Sequence, residues 1–165
     1  MKSFYSFLFL SIALVGCATY SQLFVTPDGQ IMQCSVTGQG VVGMATAQNA
    51  ANSCKQNMLM AGYLEIERAG VVGIQFSTVK SDTGVRILRV VSPSPAQRSG
   101  IKAGDYLISI DGQKINDMTD ARHLLFGIAG THVEIVTKRE TVLDTLIITR
   151  APFTEVNGDP SVQKK

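Results

Sequence analysis

Apolar and polar residues alternate at short period along most of the chain, which predicts more strands than helices. Leu23 to Val36 reads as two short strands around Thr26-Pro27-Asp28-Gly29, where Pro sets the first turn dihedral and Gly accepts the positive one. Tyr63 to Arg68 alternates Tyr63, Leu64 and Ile66 against Glu65, Glu67 and Arg68, the pattern of an extended segment. Further strands are expected over Gln75–Val79, Gly84–Val91, Tyr106–Ile110, Gln113–Ile115, Val133–Thr137 and Leu143–Thr149. Two segments carry helical spacing instead. Met44 to Met60, rich in Ala, Gln, Asn and Met and stopped at Gly62, predicts one helix, and Asn116 or Asp117 caps a second running to about Phe126 before Gly127 and Gly130. Gly38 to Gly43 reads as a flexible break. Pro152, then Asn157-Gly158-Asp159-Pro160, mark the end of order.

The densest local information lies in Ser94 to Gly112, SPAQRSGIKAGDYLISIDG. Ala96 to Ser99 can make one helical turn that Gly100 ends, Gly104-Asp105 turns the chain into the apolar strand Tyr106–Ile110, and Asp111-Gly112 closes a hairpin onto Gln113–Ile115. This order of helical turn, Gly, Gly-Asp, strand and Asp-Gly resembles the central signature of PDZ domains, especially those of the periplasmic high-temperature-requirement serine proteases. The resemblance extends over residues 70–152. Gly70-Val71-Val72-Gly73-Ile74 is similar to the carboxylate-binding loop, Gly84–Val91 to the following strand and Asp117–Phe126 to the long helix of the peptide groove.

The resemblance implies an α+β fold: a PDZ-like, partly open β-barrel or sandwich capped by two helices, preceded here by a small hairpin-helix segment at residues 23–69. It also implies a function. Such domains take a peptide as an added strand, with backbone hydrogen bonds giving affinity and pockets giving specificity. By match to the motif, the N–H groups of Val72, Gly73 and Ile74 would hold a terminal carboxylate. Ile74, Phe76 and Phe126 would line an apolar pocket for the ligand's last side chain, and Thr119, His123 and Phe126 would face the groove from the helix. Arg68 stands where family members often hold a basic residue that assists the carboxylate; pairing with Glu65 or Glu67 is the alternative. The implied partners are protein C-termini or extended peptides, with an envelope protease or secretion complex as the wider setting.

Composition then narrows compartment and class. The chain has 165 residues, 45% hydrophobic and 17% charged, enough for one principal domain. Net charge is +2 with no basic stripe, so nucleic acid is not an expected partner. Met1–Gly16 reads as a secretory signal: Lys2 gives the positive start and Phe4–Val15 an apolar run too short to span a bilayer. Leu14-Val15-Gly16-Cys17 matches a bacterial lipobox, which makes Cys17 the expected lipidation site, with palmitate among the attached acyl chains, and residues 17–22 a loose tether. In a Gram-negative host, Ala18 beside it predicts the periplasmic face of the outer membrane. The remaining cysteines, Cys34 and Cys54, form an even pair in an exported chain, which predicts a disulfide closing about 20 residues. A metal site would want further ligands and a catalytic thiol a His or basic partner, and neither stands nearby. Met44, Met58 and Met60 are expected to pack, and residues 153–165 to form a flexible tail.

No enzyme is expected. The segment before residue 70 is too short for a chymotrypsin-like double barrel, no nucleophile elbow or phosphate loop occurs, and both histidines, His123 and His132, fall in the PDZ-like part. No cofactor or metal is implied. Two functions therefore compete: a membrane-anchored peptide-binding module, and a structural or accessory subunit of an envelope assembly whose groove binds nothing.

Overall fold

The computed structural model describes residues 17–79 and 81–158. The expected signal segment at residues 1–16 and the end of the tail at 159–165 lie outside the described residues. The chain opens with a hairpin, β1 (Cys17–Val25) and β2 (Ile31–Gln39), followed by a 21-residue helix, α1 (Gly40–Met60). A short strand, β3 (Leu64–Glu65), then pairs with β1, giving the sheet order β2-β1-β3. Two expectations fail here. Residues 17–22 are not a tether, because β1 is paired along its whole length from Cys17 opposite Gln39 to Val25 opposite Ile31. The break expected at Gly38 to Gly43 is instead the end of β2 and the first turn of α1, which cross so closely that a Cβ on Gly38 would lie 2.1 Å from the Gly43 carbonyl oxygen. Glycines that look like flexibility in the sequence serve helix-to-strand contact in the fold.

The Cys34–Cys54 disulfide joins β2 to α1 across 20 residues of sequence. It lies at a thinly packed contact, since Ala47 is the only buried residue of α1. Met60 is 77% exposed, so it is surface rather than packing.

The rest of the chain forms two further sheets. β4 (Ala69–Val71) lies between β12 (Ala151–Pro152) and β9 (Gly127–Ile128). The larger sheet runs β11-β10-β7-β6-β5, with β5 (Ile74–Phe76), β6 (Val85–Val90), β7 (Tyr106–Ile110), β10 (His132–Arg139) and β11 (Val142–Thr149). β8 (Gln113–Lys114) folds back on β7 through Asp111 and Gly112, whose φ values of 47° and 74° are those of the tight hairpin turn expected there. Helices α2 (Pro95–Arg98) and α3 (Met118–Leu125) cap this architecture. Ser94 Oγ caps α2 by accepting from the Gln97 N–H, and Asp117 Oδ1 caps α3 by accepting from Thr119 and Asp120. Ile87, Leu107, Ile110, Ile115 and Ile135, all nearly inaccessible, fill the space between sheet and helices. The fold is the expected α+β class.

After β12 the chain does not become a free tail at residue 153. It forms α4 (Phe153–Asn157), with Phe153 and Val156 buried. Phe153 joins Val25, Ile66 and Ala69 in a second, smaller core against which Leu23, Leu64, Val71 and Phe126 pack. This core is made jointly by the first hairpin, β3, β4, α4 and the end of α3.

Two polar networks hold the frame. Asp105, 2% exposed, accepts from Arg139 Nε and Nη2 at 2.7 Å each and from the Lys102 N–H at 2.8 Å. The Arg139 guanidinium holds the Asp105 carboxyl below its ordinary range, against the opposing effect of burial. Arg150, 8% exposed, has no carboxylate partner among the described residues. It donates to the carbonyls of Leu124, Leu125 and His132 and to Thr131 Oγ1 at 2.8 to 3.0 Å. Two of those carbonyls are the acceptors that the last turn of α3 cannot satisfy internally, so Arg150 is the C-terminal cap of that helix.

Candidate functional site

Loop geometry at residues 72–74 follows from two pinned carbonyls. Val72 O accepts from the Ala96 N–H at 2.9 Å and Gly73 O accepts from the Val91 N–H at 2.8 Å, so both carbonyls point into the fold. Gly73 adopts φ +83°, and a Cβ there would lie 2.4 Å from the Ser94 Cβ and 3.3 Å from Val156 Cγ1. Only Gly fits, for reasons of both dihedral and space. Among the described residues, neither the Val72 nor the Gly73 N–H meets a hydrogen-bond acceptor. Carbonyls turned in and successive N–H groups left over make an anion-binding concavity.

These groups border a cleft of about 400 Å³. One wall is Ile74, Gln75 and Phe76 of β5 with Leu88 and Val91 beyond it; the other is Arg122 and Leu125 of α3 with Phe126. Val72, Gly73, Ile74, Phe76 and Phe126, all predicted from the sequence, thus come together. The α3 face, however, is rotated by one position from expectation. Ala121 and Leu125 are buried at a spacing of four and fix the helix against the core, which turns Arg122 rather than His123 toward the cleft. Phe126 reaches the cleft by a different route: it has left the helix, with φ −74° and ψ 138°.

Thr119 and His123 lie elsewhere. Thr119 borders a separate depression with Ser77, Thr78 and Met118 at the far end of β5, while His123 sits with Tyr63, Thr26 and Pro27 on the outer side of α3. Arg68 is exposed and does not line the cleft; its N–H donates to Glu65 O and its carbonyl accepts from Ala129. A basic residue near a loop in sequence need not reach it once the backbone is committed to β4.

Two contributors were absent from the sequence reading. Val156 and Asn157 of α4, with Phe153, wall the end of the cleft beyond Gly73, and the turn Pro27-Asp28-Gly29 of the first hairpin forms part of its rim. The turn is fastened there by an ion pair, Arg122 Nη1 to Asp28 Oδ1 at 3.0 Å. No local motif marks such a contact, because its partners are 94 residues apart.

Comparison with known proteins agrees with this geometry. The PDZ domain family model, PDZ_2, matches residues 70–149. The Bartonella henselae protein named "Probable periplasmic serine endoprotease DegP-like" is 34% identical over 92 residues, 49% of this chain and 18% of that protein. The Bacillus subtilis "Serine protease Do-like HtrA" is 27% identical over 110 residues, 57% of this chain and 24% of that protein. The chain spans 15% to 24% of the first curated relatives it matches. Among solved structures, the HtrA-type protease AlgW with decapeptide superposes with a TM-score of 0.50 at 20% identity, covering 64% of this chain and 35% of that one, a likeness of fold. Loop, strand and helix thus occur in the order and geometry of one family, and residues 70–149 of this chain are a PDZ domain with homology to those of the HtrA/DegP-type periplasmic proteases.

Proposed function

We propose that the chain is a non-catalytic, lipid-anchored binding module of the bacterial envelope that takes protein C-termini, or extended peptides, as an added strand beside β5. One observation carries this reading: the Val72 and Gly73 N–H groups have no acceptor among the described residues and border a cleft between β5 and α3 with apolar walls. Ile74, Phe76, Leu125 and Phe126 suit an apolar last side chain. The wall of Phe153 and Val156 beyond Gly73 favours a chain that ends there over one that continues through.

Periplasmic location and the absence of catalysis are part of the proposal. The relatives are proteases, but the matched segment is their PDZ region, and the hairpin-helix segment brings no nucleophile-base pair with it. Cys17 is exposed and outside the disulfide, at the head of β1, which suits it to carry the lipid. Labelled palmitate should enter the wild-type protein in cells and not the Cys17→Ser variant.

A random C-terminal peptide library tests the binding reading: selection of apolar termini supports it, and no selection overturns it. The blocking variant is Leu88→Glu, because Leu88 lines the cleft yet is 63% exposed, so the fold tolerates the change. Gly73→Glu would strike buried Ser94 and confuse loss of binding with loss of folding. The rival reading, a fixed subunit of an envelope assembly, is favoured by the rim, where Asp28 and Arg122 join the hairpin turn to α3.

A further inference from the structure

Resting on the lipid-anchor reading, we propose that the end of the hairpin-helix segment that carries Cys17 is itself a membrane-contact surface: Val41 and Val42, at the start of α1, enter the headgroup boundary of the bilayer beside the anchor and stand the domain on it end-on. Val41 and Val42 are 88% and 78% exposed, the two most exposed large apolar side chains among the described residues. Cys17 pairs with Gln39, and antiparallel partners lie about 5 Å apart, so the valines follow directly after the residue that faces the anchor point. Their mounting is rigid. Gly38 of β2 and Gly43 of α1 cross so closely that no side chain fits between them, which fixes the first turn of the helix to the end of the strand.

Sequence and charge select a lipid surface over a second copy of the chain. The apolar run Phe4–Val15 directly precedes Cys17 in sequence, so the most hydrophobic stretch of the chain leads to this end of the hairpin. Charge is kept away from it: residues 17–54 contain one charged side chain, Asp28, and that lies in the turn at the opposite end of the hairpin. Bringing a charge up to hydrocarbon is costly, and here none has to be brought. The first turn of α1 also has neither a capping side chain nor an acidic residue, and places β-branched valines where a helix start favours Asp or Glu. Uncapped N–H groups need acceptors and exposed valines need apolar cover; phospholipid phosphates and the upper acyl chains offer both at one depth. From this footing β1 advances about 27 Å over its nine residues, so the turn Pro27-Asp28-Gly29, and with it the rim of the peptide cleft, is held at the membrane-distal end.

The chain contains no Trp, so a single introduced indole reports alone. Full-length protein, made in cells supplied with labelled palmitate, is reconstituted in vesicles of phosphatidylethanolamine and phosphatidylglycerol whose acyl chains are brominated next to the headgroup, where bromine quenches an indole at near contact. Val42→Trp should lose about half its emission, and Gln30→Trp, at an exposed position in the far turn, should lose none. Quenching should persist at about 1 M salt, because no charge makes the contact. Adding Val41→Glu to Val42→Trp should restore most of the emission with palmitate still incorporated. That site is exposed and an acid in the first helical turn favours the helix, so an unchanged circular dichroism melt is expected. If the protein carries palmitate and floats with the vesicles, yet Val42→Trp is quenched no more than Gln30→Trp or is quenched equally with and without Val41→Glu, the contact is wrong and the anchor stands. If neither palmitate nor flotation is found, both fall.

Discussion

The two halves of the molecule are stabilised by different means. Around the PDZ sheets, side chains from β5, β6, β7, β10, β11 and α3 converge on one core, with Leu107, Ile87, Ile110 and Ile135 fully removed from water. The hairpin and α1 have no comparable centre. A 21-residue helix that buries only Ala47 contributes little apolar area, and its segment is held by the Cys34–Cys54 bridge, by the Lys55–Glu65 ion pair from α1 to β3, and by the small core shared with Phe153 and Phe126. The larger half stands on its own burial. The smaller one depends on a covalent link and on its neighbour, the usual solution for a segment too small to fold by itself.

Changes at four contacts probe that contrast, the first expected to cost most. Arg150→Ala leaves buried acceptors at Leu124, Leu125 and His132 unmatched and should cost about 3–4 kcal/mol of global stability by urea unfolding. Arg150→Lys should recover less than half, because an ammonium cannot serve acceptors fanned around a plane. A cost under 1 kcal/mol would mean the helix end is held by something else.

Next, removing the bridge by Cys34→Ser with Cys54→Ser should weaken the hairpin-helix segment by about 3 kcal/mol. Hydrogen exchange should quicken in β1, β2 and α1 while amides of β7 and β10 keep their protection; equal acceleration in both halves would erase the distinction drawn here. Asp105→Asn is third, at about 2 kcal/mol, since it keeps an oxygen acceptor but loses the charge facing Arg139. The wild-type pH profile follows from the same contact. Asp105 titrates below its ordinary value near 3.8 in the folded state, so its stabilisation is complete above that pH and disappears as the pH falls below it. In Asp105→Asn this acid-side loss should be smaller. Smallest is Lys55→Ala, at less than about 1 kcal/mol, because Lys55 is 38% exposed and the pair is screened by water; hydrogen exchange in β3 should respond more than that in the PDZ core.

Legibility in the sequence divided along the same line. Ser94 to Gly112 could be read almost residue by residue, because its turns depend on local dihedral demands that Gly, Asp and Pro state openly. The backbone of the loop at residues 70–74 was legible for the same reason, through Gly73. Rotation of α3 was not, since it turns on whether Ala121 or its neighbour meets the core, and a single Ala methyl gives almost no periodic signal. Arg150 gave no signal, because nothing near it in sequence announces the carbonyls at the end of α3. Still less legible were the contributions of α4 and the Pro27-Asp28-Gly29 turn, which reach the cleft only through tertiary packing. Glycine-rich Gly38–Gly43 misled in the opposite direction: lack of a side chain reads as looseness and here permits close contact.

Pairing of β1 from its first residue has a practical consequence. In the lipid-free protein, with Cys34 and Cys54 bonded to each other, Cys17 is the one thiol left for alkylating chemistry, and it stands on the sheet with Gln39 across from it. A nitroxide placed there would report the tumbling of the whole body rather than of a swinging leash, and whatever is grafted at that sulfur inherits the domain's orientation.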